Sequence, residues 1–281
     1  MKDTKEHKPS PSVAPHPLKR LGQHFLTDQN IIKRIVTALS PRSDETVIEI
    51  GPGTGALTHQ LVGSVGRLIA VEFDRNLAPV LEQRYGANSN FTLVRADALE
   101  VDFCSLLDQT AKARVIANLP YNVSTAILQR LISHRRCLSE MVLMLQKEVV
   151  QRMVALPGGK ERGYLSVLVE AYCETEALFD VSPGAFRPPP KVWSTVVRVK
   201  FKELSEPGGD EILFIATVSA GFAQKRKTIL NNLRNATGAL QEVLKRNGGA
   251  SIVLCKAEVE LQRRAETLTL AEWDRIVRAM K

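Results

Sequence analysis

The tetrad Asn118-Leu119-Pro120-Tyr121 combines residue types that could act on the exocyclic amine of a nucleobase. Such an amine is a weak nucleophile, because its lone pair is delocalised into the ring. The Asn118 side-chain oxygen and the carbonyl beside Pro120 could each accept one N–H, which would direct the lone pair at a methyl donor. Pro120 restricts the backbone of the turn, and Tyr121 offers a flat face to an unstacked base. Taken alone, the tetrad could equally be a turn at a strand end.

The chain around this tetrad alternates short β-branched segments with helical patterns, which is typical of a parallel sheet flanked by helices. The predicted strands are Thr46–Ile50, Arg67–Val71, Phe91–Arg95, Arg114–Ala117 and Met141–Leu145. The predicted helices are Asn30–Leu39, Ala56–Val62, Arg75–Arg84, Thr125–Ser133 and Lys147–Ala155. Two more β-like segments, Ala177–Val181 and Thr195–Phe201, flank a Pro-rich loop. Three residues are predicted N-caps: Asp28, Asp74 and Ser124.

Both ends of the chain differ from this α/β pattern. Residues 1–18 hold four prolines among polar side chains, so a disordered tail is predicted there, followed by a catalytic domain over residues 19–207. After Pro207-Gly208-Gly209 the strand patterns cease, and a small all-helical domain is predicted over residues 208–281. The apolar positions at helical spacing are Ile212, Ile215, Val218, Phe222, Ile229, Leu230 and Leu233, with Trp273, Ile276 and Val277 in the last helix.

The composition limits the class of protein and its partners. A formal net charge of +8 and a pI near 9.4 favour a polyanionic partner, and 44% hydrophobic residues suffice for a core.

The four cysteines lie far apart without a Cys-x-x-Cys pair, which argues against a zinc site and against a disulfide framework. The chain is therefore expected to fold without covalent staples in a reducing cytoplasm. No apolar run approaches the roughly 20 residues of a membrane span, so no membrane partner is expected.

A glycine-rich segment, Glu49–Gly55, follows the first predicted strand and opens a helix, as expected of a loop that lets the backbone approach a ligand. Its glycines alternate as G-x-G-x-G, which matches neither the dinucleotide fingerprint nor a nucleoside triphosphate P-loop. Glu72 ends the second strand, where a carboxylate can bind both ribose hydroxyls. Asp97 ends the third strand and could accept from an adenine amino group, with a helix N-cap as the alternative.

The order of these features resembles the class I S-adenosylmethionine-dependent amino-methyltransferases and, more narrowly, the ribosomal RNA adenine dimethyltransferases. The matching motifs are Leu21–Leu26, Asn118–Thr125, Leu145–Val149 and Phe186–Val192. The resemblance implies a Rossmann-like sheet with a C-terminal helical domain. It implies transfer of methyl groups to N6 of two adjacent adenosines near the 3′ end of 16S rRNA, within an assembling small ribosomal subunit. S-adenosyl-L-methionine would be the donor and S-adenosyl-L-homocysteine the product, without a metal, and a monomer is expected.

The resemblance also assigns a cofactor set, namely His24, Leu26, Gly51, Gly53, Glu72, Asp97 and Asn118. His24 and Leu26 would contact the methionine part, Glu72 the ribose and Asp97 the adenine. Asn118 would lie between the methyl donor and the acceptor. Three positions depart from the residues usual in that family: His24, Ala126 and Trp193.

The part of the site that binds the target adenine would need a second aromatic side chain and a basic surface. Phe186 is predicted to face Tyr121 across a flipped adenine, with a packed core side chain as the alternative. The predicted phosphate-binding residues are Arg187, Lys191, Lys225, Arg226, Lys227 and Arg234, with Arg135 and Arg136 extending the positive surface. If residues 224–234 are helical, Lys227, Asn231 and Arg234 share one face, although a solvated basic face is the alternative.

Two other functions are compatible with parts of this pattern. One is a 23S rRNA adenine methyltransferase of the macrolide-resistance type, which the resemblance disfavours, because such relatives usually have Ile in place of Leu119 and lack so complete a Phe186–Lys191 motif. The other is a non-catalytic RNA-binding assembly factor. The presence of Glu72, Asp97, Asn118 and Tyr121 together favours an enzyme.

Overall fold

The computed structural model describes residues 23–108, 112–203 and 207–281, and the predicted tail at residues 1–18 lies outside them. The strands are β1 (Phe25–Leu26), β2 (Thr46–Ile50), β3 (Arg67–Val71), β4 (Phe91–Val94), β5 (Ala113–Asn118), β6 (Leu138–Gln146), β7 (Cys173–Val181), β8 (Phe186–Arg187) and β9 (Ser194–Phe201). The helices are α1 (Gln29–Leu39), α2 (Thr58–Leu61), α3 (Ala78–Tyr85), α4 (Ser124–Ser133), α5 (Lys147–Met153), α6 (Tyr164–Tyr172), α7 (Glu211–Gly221), α8 (Ile229–Arg234), α9 (Gly238–Arg246), α10 (Ala250–Lys256) and α11 (Leu270–Arg278).

A mixed sheet of seven strands forms the centre of the molecule, in the order β4-β3-β2-β5-β6-β9-β7. Strands β2 to β6 are parallel, whereas β9 pairs antiparallel with both β6 and β7. The parallel strands are almost continuously buried because helices cover both faces, as is usual for such sheets. The predicted α/β architecture is confirmed, and the observed strands overlap all seven predicted β segments.

The helix starts agree only in part with the predicted N-caps. Asp28 caps α1, since its side chain accepts from the backbone N–H groups of Asn30 and Ile31. Asp74 caps a turn instead, because α3 begins at Ala78. Ser124 lies inside α4 as its first residue, and its hydroxyl donates to the Tyr121 carbonyl. These two N-cap predictions are therefore wrong.

Helix α6 was not predicted from the sequence, for a physical reason. Most of its residues are buried, so it has no polar face and shows no 3.6-residue alternation. It packs between the sheet and the C-terminal helices, and the ring of its last residue, Tyr172, meets the Phe214 ring edge-on.

The C-terminal third of the described chain is helical, as predicted. Trp273, Ile276 and Val277 are fully buried. The face that α7 buries agrees with the prediction only in part. Val218 is buried as predicted, whereas Ile212 is 84% exposed and Phe214 is buried.

A partly buried ion pair joins the end of α4 to these helices. The Arg135 guanidinium donates to both carboxylate oxygens of Glu211, at 2.7 and 2.6 Å, and lies over the Tyr172 ring. Arg135 is almost inaccessible to solvent, so the expectation that it extends the positive surface is wrong. It instead ties the end of α4 to the start of α7.

The expectation of a chain without covalent staples is also wrong. Cys104 and Cys137 form a disulfide, because the short 3-10 helix Phe103–Leu106 packs against the end of α4 and brings their Cα atoms to 5.5 Å. Cys173 is a buried free thiol and Cys255 an exposed one. Among the residues described, no helix is long and apolar enough to cross a membrane, and no cluster of three metal-ligating side chains is found.

Candidate active site

The candidate site lies where the carboxyl ends of four parallel strands meet. Gly51 follows β2, Glu72 follows β3, Asp97 lies just beyond β4, and Asn118 is the last residue of β5. Strands β3 and β4 lie on one side of β2, and β5 and β6 lie on the other, so the direction in which the chain adds strands reverses at β2. Ligands of open α/β sheets bind at such a switch point. The sheet therefore brings four predicted site residues to one edge.

The glycine loop holds the Glu72 carboxylate in place. Gly51 and Gly53 have φ angles of 64° and 61°, a conformation that favours glycine. The Gly53 N–H donates to Glu72 Oε2 at 3.0 Å, and the Asp74 N–H donates to Oε1 at 2.8 Å. Burial raises the pKa of Glu72, and these two hydrogen bonds oppose that rise. The carboxylate is thus preorganised to accept from a ligand hydroxyl.

A second carboxylate lies beneath the same loop. Glu49 is almost fully buried and accepts a hydrogen bond from the Thr58 hydroxyl at 2.7 Å. Burial raises the pKa of Glu49 to about 7, with a smaller contribution from the negative charge of Glu72. The Glu49 carboxyl therefore titrates near neutral pH, far above the range of an exposed glutamate.

A cavity of about 260 Å³ opens beside Glu72. Its walls include apolar side chains of Ile50, Val71 and Ile127, which suit the faces of a flat heterocycle. Asp97 also lines this cavity. One Asp97 oxygen accepts from the Leu99 N–H and so caps a turn, not the helix of the alternative prediction, while the other oxygen is left as an acceptor. Adenine binding by Asp97 stays a prediction.

The Asn118 side chain has a defined orientation. Its Nδ2 donates to the backbone carbonyl of His24 at 3.1 Å. A carbonyl can only accept, so the amide cannot be turned round, and Oδ1 is the atom left to accept an N–H. Asn118 lines a small cavity together with Gly51, Glu72 and Tyr121. The geometry therefore presents the acceptor group that the amine chemistry needs.

Tyr121 is held at both ends of its side chain. Its hydroxyl hydrogen-bonds Ser194 Oγ at 2.5 Å, and its ring lies 5.3 Å from the His24 ring with an interplanar angle of 33°. Burial raises the pKa of the Tyr121 hydroxyl, so the neutral phenol persists at physiological pH. Ser194 reaches this position because β9 runs antiparallel and begins at the edge where β6 ends.

Residues 24–26 contact the predicted acceptor loop, residues 186–192, and lie beside the glycine loop. His24 Nδ1 lies 2.8 Å from the Pro188 carbonyl oxygen, so Nδ1 carries the proton of this hydrogen bond. Strand β1 pairs antiparallel with β8, placing Leu26 opposite Phe186. Leu26 lines a narrow pocket with Gly51, Gly53 and Asn118. His24 and Leu26 thus lie beside the predicted cofactor loop.

Phe186 does not form the predicted second aromatic wall in this structure. Its side chain is 0% exposed and packs in the apolar core with Leu26 and Val196. The pairing of β1 with β8 fixes the backbone here, and the alternation of side chains across a strand directs Phe186 inward. The packed core residue, which was the alternative, is the observed one.

The predicted phosphate-binding residues are all exposed and lie in two groups. Arg187 and Lys191 flank the acceptor loop, and the others lie in the C-terminal helical part. Residues 224–227 form a turn, and α8 begins only after the Thr228 cap, so the proposed helical face shared by Lys227 and Arg234 is not formed. Lys225 Nζ donates to the Lys160 carbonyl at 3.1 Å.

The structure places further residues at the site, among them Gln23 and Phe73, that are not among the predicted site residues. Gln23 lines both cavities and donates to Asp74 Oδ2 at 2.9 Å. Phe73 is exposed and lines the larger cavity. Gln23 belongs to the Leu21–Leu26 motif, which is a sequence signal for it, whereas nothing local in the sequence indicates Ser194.

Comparisons with known proteins show the family of this chain. A family model described as "Ribosomal RNA adenine dimethylase" matches residues 17–278. The Ribosomal RNA small subunit methyltransferase A of Pseudomonas aeruginosa is 46% identical over 77% of this chain and 81% of its own length. Its namesake from Hahella chejuensis is 41% identical over 92% of this chain and 90% of its own length.

Solved structures give the same result at the level of the fold. A dimethyladenosine transferase from Plasmodium falciparum has a TM-score of 0.73 and 26% identity, covering 90% of this chain and 96% of its own. The 23S rRNA methyltransferase ErmE has a TM-score of 0.62 and 21% identity, covering 91% of this chain and 99% of its own, and supports the fold alone. With the family model spanning nearly the whole chain, this protein belongs to the ribosomal RNA adenine dimethylase family.

Proposed function

We propose that this protein transfers methyl groups from S-adenosyl-L-methionine to N6 of two adjacent adenosines near the 3′ end of 16S rRNA in an assembling small ribosomal subunit. The observation that carries the chemistry is the orientation of Asn118, whose Nδ2 is bonded to the His24 carbonyl so that Oδ1 is left to accept. The relatives named as small subunit methyltransferases support the choice of RNA.

The residues present fit the cofactor that this function requires. Glu72 offers two buried carboxylate oxygens to the ribose, and the cavity of about 260 Å³ offers Asp97 and apolar walls to the adenine. His24, Leu26, Gly51 and Gly53 lie where the methionine part would bind. When bound, S-adenosylmethionine supplies a methyl group on a sulfonium, which is an excellent leaving group.

The chain's own contribution to the transfer is positioning. Asn118 Oδ1 would accept one amine N–H. The Pro120 carbonyl already accepts from the Val123 N–H, so the Leu119 carbonyl would accept the other amine N–H. Tyr121 would support the ring of the adenine. The amine becomes acidic only as its nitrogen becomes cationic, so its proton can pass to water and no general base is assigned.

The basic residues support an RNA substrate. Arg187 and Lys191 adjoin the site, while Lys225, Arg226, Lys227 and Arg234 are exposed on the helical part. We propose residues 19–207 as the catalytic domain and residues 208–281 as the RNA-binding domain of a monomer. We propose a cytoplasmic location, because the proposed substrate is ribosomal. The Cys104–Cys137 disulfide disagrees with this location, since cytoplasmic thiols are usually reduced.

The proposed substrate can be tested on ribosomal particles that lack the modification. The protein and radiolabelled S-adenosylmethionine should label under-methylated small subunits, and mass spectrometry should find two adjacent dimethylated adenosines near the 3′ end of 16S rRNA. Label in large subunits alone would support the 23S activity instead. The absence of label in both would support an assembly factor without catalysis.

The contact between Tyr121 and Ser194 gives a prediction about turnover. Replacing Ser194 by Ala should lower kcat about five- to tenfold, since one buried hydrogen bond is worth about 1 kcal/mol. Tyr121→Phe should have the same effect, and the double variant should be no worse, because both changes remove one interaction. Steady-state methyl transfer measures this.

A matched control is Ser139→Ala. Ser139 lies on β6, near the opposite end of the strand, and donates to the Ala113 carbonyl. It should leave kcat unchanged. Additive losses in the Ser194 and Tyr121 double variant would show that the two residues do not act through their shared hydrogen bond.

A further inference from the structure

A groove of about 430 Å³ lies between the end of α7, helix α8 and the start of α9, apart from the site described above. Alanine methyl groups form much of its wall, at Ala216, Ala220 and Ala236. Two of the polar residues that line it, Gln224 and Asn235, are exposed, and no hydrogen bond of their side chains is found within the described chain. Among the described residues that line the groove, none carries a carboxylate.

One amide in this groove is buried and has a free acceptor. Asn232 is only 4% exposed, and its Nδ2 donates to the carbonyls of Gly221 and Gln224. Two carbonyl acceptors fix the orientation of the amide, because neither could donate to an oxygen. Across the residues that the structure describes, nothing donates to Asn232 Oδ1, and Asn232 lines the groove. This oxygen is therefore available to accept an N–H from a ligand that enters the groove.

Positive charges flank the groove on two sides. Lys225, Arg226 and Lys227 directly follow Gln224 on one wall, and Arg234 directly precedes Asn235 on the other. All four are exposed. An uncharged groove with amides and methyl groups between cations matches the needs of single-stranded RNA, whose bases enter apolar, hydrogen-bonding sites while its phosphates contact basic side chains.

We propose that this groove binds one unstacked nucleobase of the RNA, separate from the adenine that is methylated. The exocyclic amine of that base donates to Asn232 Oδ1, and the adjoining phosphates lie on Lys225, Arg226 and Arg234. This inference rests on the proposed RNA substrate. It adds a second base contact, which would fix the register of the RNA relative to the active site.

A groove-filling substitution tests the proposal directly. Ala223 lines the groove and is exposed, so Ala223→Leu fills space without disturbing the core. The control Ala271→Leu makes the same change at an exposed position of α11, outside the groove. Fluorescence anisotropy would measure the binding of an oligoadenylate of about eight nucleotides and of an abasic oligomer with equal phosphates.

The expected result is base-specific. Ala223→Leu should weaken oligoadenylate binding about tenfold, the typical effect of losing a base contact, and should leave abasic binding and the salt dependence unchanged. Lys225→Gln with Arg226→Gln should weaken both ligands and reduce the salt slope. Asn235→Ala, at an exposed position, gives a second groove variant in case the leucine perturbs folding.

Two outcomes would overturn the proposal. The first is wild-type affinity for oligoadenylate in both groove variants. The second is an equal loss for the abasic oligomer, which would mean that only phosphate contacts had changed. Small-subunit methylation by the wild type and Ala271→Leu is measured separately, so a failure of the proposed activity is distinguishable from a failure of the groove.

Discussion

Replacing Asn118 by Ala is expected to lower kcat for methyl transfer by about 100- to 1,000-fold, as is usual when one preorganised hydrogen-bonding group of an active site is removed. Asn118 Oδ1 is the side-chain acceptor that we propose for the amine, while Glu72 and Asp97 line the cavity that we propose for the cofactor. The dissociation constant for S-adenosylmethionine should therefore stay within about threefold of the wild-type value, because the lost contact belongs to the acceptor. Single-turnover methylation and calorimetric titration of the cofactor measure the two effects.

The loss of the bond to His24 needs its own control, since Asn118 also holds the N-terminal segment. Asn76→Ala changes an exposed asparagine outside the cavities and should leave both constants unchanged. An Asn118→Ala variant that loses cofactor affinity as strongly as turnover would refute the separation of the two roles.

Replacing Glu49 by Gln is expected to stabilise the protein at neutral and alkaline pH. Burial raises the pKa of Glu49 from 4.5 to about 7 in the folded state. Below pH 4.5 the carboxyl is protonated in both states and contributes no pH dependence. Between pH 4.5 and 7 the Glu49 carboxyl is ionised in the unfolded chain but still protonated in the folded one. The free energy of unfolding therefore falls by about 3 kcal/mol across this range. Above pH 7 the free energy of unfolding stays lower by this full amount.

Glutamine does not titrate and can still accept from the Thr58 hydroxyl. The stability difference between Glu49→Gln and the wild type should therefore grow from pH 5 to pH 8, by about 2.5 kcal/mol. Urea unfolding at each pH measures it, and Glu100→Gln, at an exposed position, is the matched control with no such trend. A difference that is constant with pH would show that Glu49 is not desolvated in the folded protein.

Much of the candidate site followed from local patterns because of the geometry of parallel strands. Glu72 and Asp97 are predicted from their places at strand ends and Asn118 from the chemistry of its tetrad, and parallel strands bring all three to one edge. The Gly51 and Gly53 loop was recognisable because positive φ angles favour glycine. Helix α6 was missed because a helix buried on most sides carries no periodic signal.

The sequence by itself determined the type of fold, the cofactor edge and the Asn118–Tyr121 tetrad, since each depends on residue type and on spacing within a single strand and turn. Only the tertiary structure decided which groups hold that tetrad. The His24 carbonyl fixes Asn118 across 94 positions of the chain, and Ser194 holds Tyr121 across 73. The burial of Phe186 and the Cys104–Cys137 pair were decided in the same way. The reason is that strand register and helix packing set such contacts, and these depend on the whole core.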